Sequence, residues 1–174
     1  MMSVKIRVGI VAIAVLFGAN CGAADGKRAA CDNPAHRSFD FWVGSWTVTS
    51  GGKTAGHNTI RKRHRGCVLE ENYATPGRGY TGSSLNSYDA STQSWQQTWM
   101  DSSGLVLNLH GGMVGKSMQM QGSRVQAKTG KRIQDRITWT PQGDGAVQQH
   151  WQVRSADDKP WKTVFLGIYR RDGK

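Results

Sequence analysis

Four polar residues lie where a β-strand would place them among large apolar side chains. When residues are read two apart, as along a strand, each polar residue shares a side with apolar or aromatic neighbours. The four are Gln97, Asp135, Gln149 and Thr163, and the aromatic residues on the same sides include Trp99, Trp151 and Phe165. Burying an unpaired amide or carboxylate costs several kcal/mol, so these groups must bond to one another, to water or to a ligand. The pattern fits an internal hydrogen-bond network and also the polar lining of a ligand cavity with aromatic walls.

Glu71 belongs to the same class, because it shares a side with Leu69 and Tyr73. An inward carboxylate needs a donor such as an arginine, an amide or water. It could serve as a general base if its pKa were raised, but no nucleophile motif accompanies it, and no G-x-S-x-G sequence is present. We therefore assign no catalytic residue, expect binding rather than enzymatic activity, and place Glu71 with the candidate ligand-binding residues.

The remaining chemistry-bearing residues indicate neither a metal site nor nucleic-acid binding. The five histidines show no H-x-H or H-x-x-x-H spacing with a third ligand nearby, so we expect no metal and no cofactor. The basic run 61–65 carries no interleaved aromatic residues of the kind that stack on bases. We expect this run to be a solvated face or a contact for an anionic surface.

The N-terminus has the features of a secretory signal. Lys5 and Arg7 precede the apolar stretch 8–17, which is too short to span a bilayer. Small residues favour cleavage after Ala23 or Ala24. We therefore predict an exported protein, periplasmic or secreted, without a transmembrane segment in its mature chain. Its formal net charge of +11 would suit an anionic envelope surface, such as acidic polysaccharide or lipid headgroups, although it also serves solubility.

The cysteine pattern follows from that cleavage. Cys21 would leave with the signal, and Cys31 and Cys67 would remain as an even pair. In an oxidising compartment we expect these two to form a disulfide bond. A lipid-anchored Cys21 is the alternative, and it would require a small residue at position 20, where the chain has Asn20.

The segments after residue 44 are short, alternate in polarity and are separated by turn-forming residues, and none has the period of an amphipathic helix. We predict an all-β fold, a single antiparallel up-and-down barrel of about ten strands, because short hairpin connections favour that topology and closure removes exposed edges. The predicted organisation is a signal peptide at 1–24, an N-terminal extension at 25–38 and the barrel domain at 39–174. In the last strand, Trp161, Thr163 and Phe165 are predicted to face inward.

The run from His36 to Trp46, H-x-x-F-D-F-W-x-G-x-W, resembles the signature of a family of exported bacterial proteins described only as a domain of unknown function with a calycin-like barrel, similar to lipocalins and fatty-acid-binding proteins. The resemblance implies a short helical plug before the first strand. The residues to which it assigns structural roles are Phe39, Phe41 and Trp42 in the plug, Gly44 at a close backbone approach, and Trp46 stacked under Arg170 or Arg171.

These patterns support two hypotheses about function. The first is non-enzymatic binding of a small, partly polar ligand inside the barrel. The alternative is a structural or envelope-interaction module that binds anionic surfaces through its basic exterior.

Overall fold

The computed structural model describes residues 31–155 and 159–173. The signal peptide assigned to 1–24 therefore lies outside the described residues, as do residues 25–30 of the N-terminal extension. In the described part of the chain, no helix is long and apolar enough to cross a membrane.

The described chain contains one short helix and ten strands. The helix α1 is Pro34–Arg37, and a single 3-10 turn at Asp40–Trp42 leads into the first strand. The strands are β1 Gly44–Ser50, β2 Lys53–Arg63, β3 Val68–Ala74, β4 Thr81–Asp89, β5 Ser94–Asp101, β6 Val106–Val114, β7 Ser117–Val125, β8 Arg132–Pro141, β9 Val147–Arg154 and β10 Lys162–Arg171.

Each strand pairs antiparallel with the next, and β1 pairs with β10, so the sheet closes into a barrel. The predicted all-β up-and-down barrel, with a short helical segment before the first strand, is confirmed. The barrel has two unlike ends. We call the end where β1 starts the closed end, and the end formed by the β1–β2, β3–β4, β5–β6, β7–β8 and β9–β10 connections the rim.

A plug of aromatic residues fills the closed end. Phe39 stacks on Trp42 with 4.9 Å between ring centroids, and both side chains are fully buried. The indole N–H of Trp46 donates to the backbone oxygen of Trp42 at 2.9 Å, which joins the plug to β1. Phe39 also meets the edge of Trp139 at 5.2 Å, while Phe41 packs partly buried against the same cluster. The plug is therefore continuous with the core of the barrel.

The cation over Trp46 is Arg171 rather than Arg170. Arg171 lies opposite Trp46 in the β1–β10 register, and its guanidinium carbon is 4.3 Å from the centroid of the indole. Because side chains alternate along a strand, Arg170 points to the outer surface, where it approaches Asp144 at 3.9 Å. Gly44, at a φ of 150°, gives Arg171 its room: a Cβ at this position would lie closer than 3.0 Å to the guanidinium.

A disulfide bond joins Cys31 to Cys67, as predicted, across a sequence separation of 36 residues. It connects the segment before α1 to the residue that precedes β3. By loop-closure entropy, a bond that closes a loop of this length stabilises the folded chain by about 3–4 kcal/mol. The N-terminal segment is thereby held covalently at the closed end.

One strand departs from the predicted alternation. The register between β9 and β10 shifts between Thr163 and Phe165, so that Phe165 lies opposite Trp151 but Thr163 lies opposite Gln152. Thr163 is consequently on the outer surface, where its hydroxyl is 2.8 Å from Nε2 of His150. The inward placement of Thr163 predicted from the sequence is wrong, because a β-bulge breaks the two-residue period there.

The same bulge places Trp161 outside. Its ring lies between the guanidinium groups of Arg136 and Arg154, with centroid distances of 4.2 and 4.5 Å. Both arginines belong to the outer faces of β8 and β9. Trp161 thus covers the outer surface of the barrel instead of its interior.

Candidate functional site

A cavity of about 270 Å³ occupies the barrel between the plug and the rim. Most of its wall is aromatic. Near the rim the wall is formed by Tyr73, Tyr80, Trp99, Trp151 and Phe165, and deeper by Trp139 and Tyr169. The cavity reaches solvent at Val164, whose side chain is 53% exposed. Trp139 separates it from the plug, because this ring also contacts Trp42 at 5.4 Å.

The position of Trp99 depends on a glycine in the neighbouring strand. Gly82 lies two residue pairs from Ser84, the residue opposite Trp99, and on the same side of the strand. A Cβ on Gly82 would come closer than 3.0 Å to three atoms of the indole. Such a separation is incompatible with van der Waals contact, and the ring cannot bend out of the way. The absence of a side chain at residue 82 therefore lets Trp99 lie flat against β4.

Asp101 fixes two of the rim aromatics. Its Oδ2 accepts hydrogen bonds from the Tyr80 hydroxyl at 2.8 Å and from the Trp99 indole at 3.1 Å. Its Oδ1 accepts from the backbone N–H of Ser103 at 2.8 Å. Partial burial acts to raise the pKa of Asp101, but the bonds from Ser103, Tyr80 and Trp99 together lower it. The carboxylate is thus ionised at neutral pH and holds the rim rings in place.

Among the described residues, Glu71 supplies the carboxyl group of the cavity wall. It is 3% exposed, and each of its oxygens accepts one hydrogen bond from a neutral donor. Oε1 accepts from the Asn58 amide at 2.7 Å, and Oε2 accepts from the Ser84 hydroxyl at 2.6 Å. Burial raises the pKa of Glu71 to about 7, although the bonds from Ser84 and Asn58 act in the opposite direction. This carboxyl group therefore titrates near neutral pH.

A chain of hydrogen bonds extends from Glu71 in both directions. On one side the Asn86 amide donates to Ser84 at 2.8 Å, and the Gln97 amide donates to Asn86 Oδ1 at 2.7 Å. On the other side the Asn58 amide lies 3.5 Å from the Tyr169 hydroxyl, which donates to Gln149. Gln97 and Gln149, the two ends of the chain, both line the cavity. These residues thus form one network, and the cavity contacts it at Glu71, Gln97, Gln149 and Tyr169.

Two buried polar atoms beside the cavity have no hydrogen-bond partner in the described structure. They are Oδ1 of Asn58 and Nε1 of Trp139. A buried atom without a partner loses the bonds it would make to water, so each one raises the free energy of the folded chain. Trp139 lines the cavity, and Asn58 bonds to Glu71, which lines it.

Asp135 has a structural role. Its carboxylate pairs with Arg124, at 2.9 Å between Oδ2 and Nε, and accepts a bond from the Trp151 indole at 2.9 Å. Asp135 is 1% exposed and does not reach the cavity wall. It orients Trp151, which does line the cavity, and its charge is neutralised by Arg124.

The eight candidate ligand-binding residues therefore separate into three groups. Six line the cavity together: Glu71, Gln97, Trp99, Gln149, Trp151 and Phe165. Asp135 lies behind Trp151, and Thr163 is outside the barrel. Sequence reasoning missed the network residues Asn58, Ser84 and Asn86. Asn58 shows the pattern that identified Gln97, since it lies between Gly56 and Ile60 on the inward side, whereas Ser84 and Asn86 are adjacent on the inward side of β4.

Within the described ranges, no group of three or more His, Cys, Asp or Glu residues could hold a metal ion. Comparison of the chain with models of known protein families gives no match. Comparison with curated proteins gives no match either.

Proposed function

We propose that this protein binds a small, partly polar molecule inside its barrel. The observation that carries the proposal is the cavity of about 270 Å³, which has aromatic walls and a few placed polar groups. Ligand sites characteristically combine these two features. A dry core would fill such a space, because empty volume forfeits dispersion contacts with the surrounding side chains.

The dimensions of the cavity limit the ligand. Sites for drug-sized molecules enclose about 300–1,000 Å³, so this cavity suits a compact molecule of one ring with a short polar chain. The plug residues Phe39 and Trp42 block passage of a long acyl chain through the closed end. A small ligand with one polar end fits the single polar network better than a fatty acid.

The proposal includes export and the family relationship. The Cys31–Cys67 bond is of a kind that persists in oxidising compartments, which supports a periplasmic or secreted location. The closed ten-stranded barrel, together with the run from His36 to Trp46, supports membership in the exported calycin-like family that the sequence resembles.

The test is a binding screen on the purified chain with a variant that narrows the rim. Val164 lines the cavity and is exposed, so the larger side chain of Val164→Trp should occupy part of the ligand's space at little cost in folding free energy. Leu166→Trp is the matched control, because Leu166 is exposed on the same strand but does not line the cavity. Compounds that raise the melting temperature are first identified with the unmodified chain.

We expect such compounds to lose affinity for Val164→Trp and to keep it for Leu166→Trp. Native mass spectrometry of the protein as isolated provides a second reading, because a retained molecule would appear as an added mass. The proposal fails if a panel of neutral, cationic and anionic one-ring compounds neither shifts the melting temperature nor gives an added mass.

A second candidate function is contact with an anionic envelope surface. The observation that favours it is the number of exposed basic residues at the two ends of the barrel. Those at the rim include Lys53, Arg78, Lys128, Lys131 and Lys162. Near this end Asp135 is neutralised by Arg124, whereas Asp101 bonds to neutral donors and keeps its negative charge. A surface of this kind attracts anionic lipid or polysaccharide in a salt-dependent manner.

Binding to vesicles that contain an anionic phospholipid tests this candidate. Lys128→Glu combined with Lys131→Glu should weaken binding, whereas Lys116→Glu, at the closed end, is the control. Equal binding by the two variants, or binding that 0.5 M salt does not weaken, would contradict it.

A further inference from the structure

We propose that the ligand is a small organic cation, a protonated amine whose ammonium group bonds to Glu71 and whose apolar part packs against the aromatic wall. This inference rests on the proposed binding function and specifies its ligand class.

The first argument is charge. In the described part of the chain, no lysine, arginine or histidine lines the cavity, and the hydrogen-bond donors to Glu71 are the neutral groups of Asn58 and Ser84. A buried carboxylate without a counter-cation is costly, and a cation placed beside it removes much of that cost. A cationic ligand would supply the missing charge.

The second argument is the supply of acceptors. Each Glu71 oxygen accepts a single bond from the described residues, and Oε1 of Gln97 and Oδ1 of Asn58 accept none. A carboxylate oxygen can accept two bonds, so acceptor capacity remains at Glu71 itself. An ammonium group has three N–H donors and matches this surplus.

The tyrosines of the wall do not offer competing donors. The Tyr73 hydroxyl donates to the backbone oxygen of Ala55 at 2.7 Å, Tyr80 donates to Asp101, and Tyr169 donates to Gln149. The indole N–H of Trp139 has no partner in the described structure, but a carboxylate ligand would find no unpaired cation among the described residues of the wall. Arg124, which reaches the buried Asp135, is already paired with that carboxylate.

The third argument is the aromatic wall. Tyr73, Trp99, Trp151 and Tyr169 line the same cavity as Glu71. Aromatic rings attract cations through their quadrupole, most strongly where water is excluded. A carboxylate together with several aromatic rings favours a cation over a neutral molecule of the same shape.

Protonation of Glu71 couples this binding to pH. Burial raises the pKa of Glu71 to about 7, so the carboxyl group loses its charge in mildly acidic solution. The titratable groups that act on it are Tyr73, on its own strand, and Tyr169, on β10; burial raises the pKa of both, so they stay neutral across this range. From β2 and β4, Asn58 and Ser84 contribute no charge. Amine binding should therefore weaken as the pH falls through 7.

The experiment uses three probes that share a phenyl ring and a short chain: 2-phenylethylamine, 2-phenylethanol and 3-phenylpropionate. Affinities are measured by calorimetry at pH 8 and pH 5.5. With a pKa of about 7, the ionised fraction of Glu71 falls from about nine-tenths to about one-thirtieth between these values. We expect the amine to bind at least tenfold more tightly than either other probe at pH 8, and about thirtyfold more weakly at pH 5.5.

Glu71→Gln should reduce amine affinity to that of the alcohol and abolish its pH dependence. Glu70→Gln is the control, because Glu70 lies on the outer face of the same strand and pairs with Arg63. Should Glu71→Gln not fold, the comparison of amine and alcohol at two pH values decides the question with the unmodified chain.

The outcomes separate the two proposals. Alcohol or propionate binding as tight as that of the amine at pH 8 overturns the cation inference and leaves the binding function in place. Failure of all three probes to bind at millimolar concentration overturns the inference and argues against the binding function as well.

Discussion

The guanidinium of Arg171 lies over the indole of Trp46, with 4.3 Å between the guanidinium carbon and the ring centroid. Its Nη1 also donates to the backbone oxygen of Val43 at 3.0 Å. Trp46 in turn donates to Trp42. One side chain of the last strand therefore binds the first strand, the residue before it and, through Trp46, the plug.

Arg171→Ala is expected to lower the free energy of unfolding by about 1–3 kcal/mol, because it removes a stacked cation, its packed stem and one charged hydrogen bond. Arg170→Ala, one residue earlier on the outer surface, should change it by less than about 0.5 kcal/mol. Urea denaturation followed by tryptophan fluorescence measures both. Equal losses of unfolding free energy in the two variants would show that the contact of Arg171 with Trp46 stabilises the fold no more than the surface contact of Arg170.

Glu71 makes stability depend on pH. Its folded-state pKa of about 7 exceeds the unfolded value of 4.5, so the folded chain holds a proton that the unfolded chain releases between those values. The contribution of Glu71 to the free energy of unfolding should therefore be greatest below pH 4.5. It should fall by about 3 kcal/mol in total as the pH rises to 7. Above pH 7 its contribution is constant.

Denaturation midpoints of Glu71→Gln and the unmodified chain, measured from pH 5 to pH 8, test this expectation. The neutral amide should remove the decline, so the difference in stability between the two proteins should change steadily over that interval. Glu70→Gln should instead follow the unmodified chain. Parallel curves for Glu71→Gln and the unmodified chain would mean that Glu71 does not titrate near neutrality.

Gly82→Ala should destabilise the barrel by about 1–3 kcal/mol, because the added methyl group overlaps the indole of Trp99, which Asp101 holds in place. Gly112→Ala is the matched control in a neighbouring part of the sheet, since a Cβ there meets no atom within 4 Å. The control should be neutral or slightly stabilising, because alanine restricts the unfolded chain. Loss of stability in both variants, measured by urea denaturation, would point to backbone conformation and not to contact with Trp99.

The sequence predicted the architecture well because a two-residue period carries through most strands. Gln97 and Glu71 both emerge on the inner side, as their apolar neighbours indicate. The period failed at Thr163, where the β-bulge in β10 exchanges inner and outer sides. Nothing in the local composition marks that bulge, since its cause is the register with β9.

The sequence also could not predict which side chains contact one another across adjacent strands. Asp135 was recognised as inward, but its ion pair with Arg124 joins adjacent strands whose register no local pattern specifies. The choice between Arg170 and Arg171 likewise depended on which residue lies opposite Trp46. Strand alternation thus locates a side chain on a face, and register decides what it touches.

The plug leaves the cavity open at one end only, since Phe39 and Trp42 seal the other end. The Cys31–Cys67 bond holds the segment before α1 at that sealed end. Any molecule that enters past Val164 must leave by the same route. Because the rim is crossed in both directions, its obstruction raises the barrier to association and to dissociation equally. Side chains at the rim would then determine the rate at which a ligand dissociates, while the groups around Glu71 would determine its binding free energy.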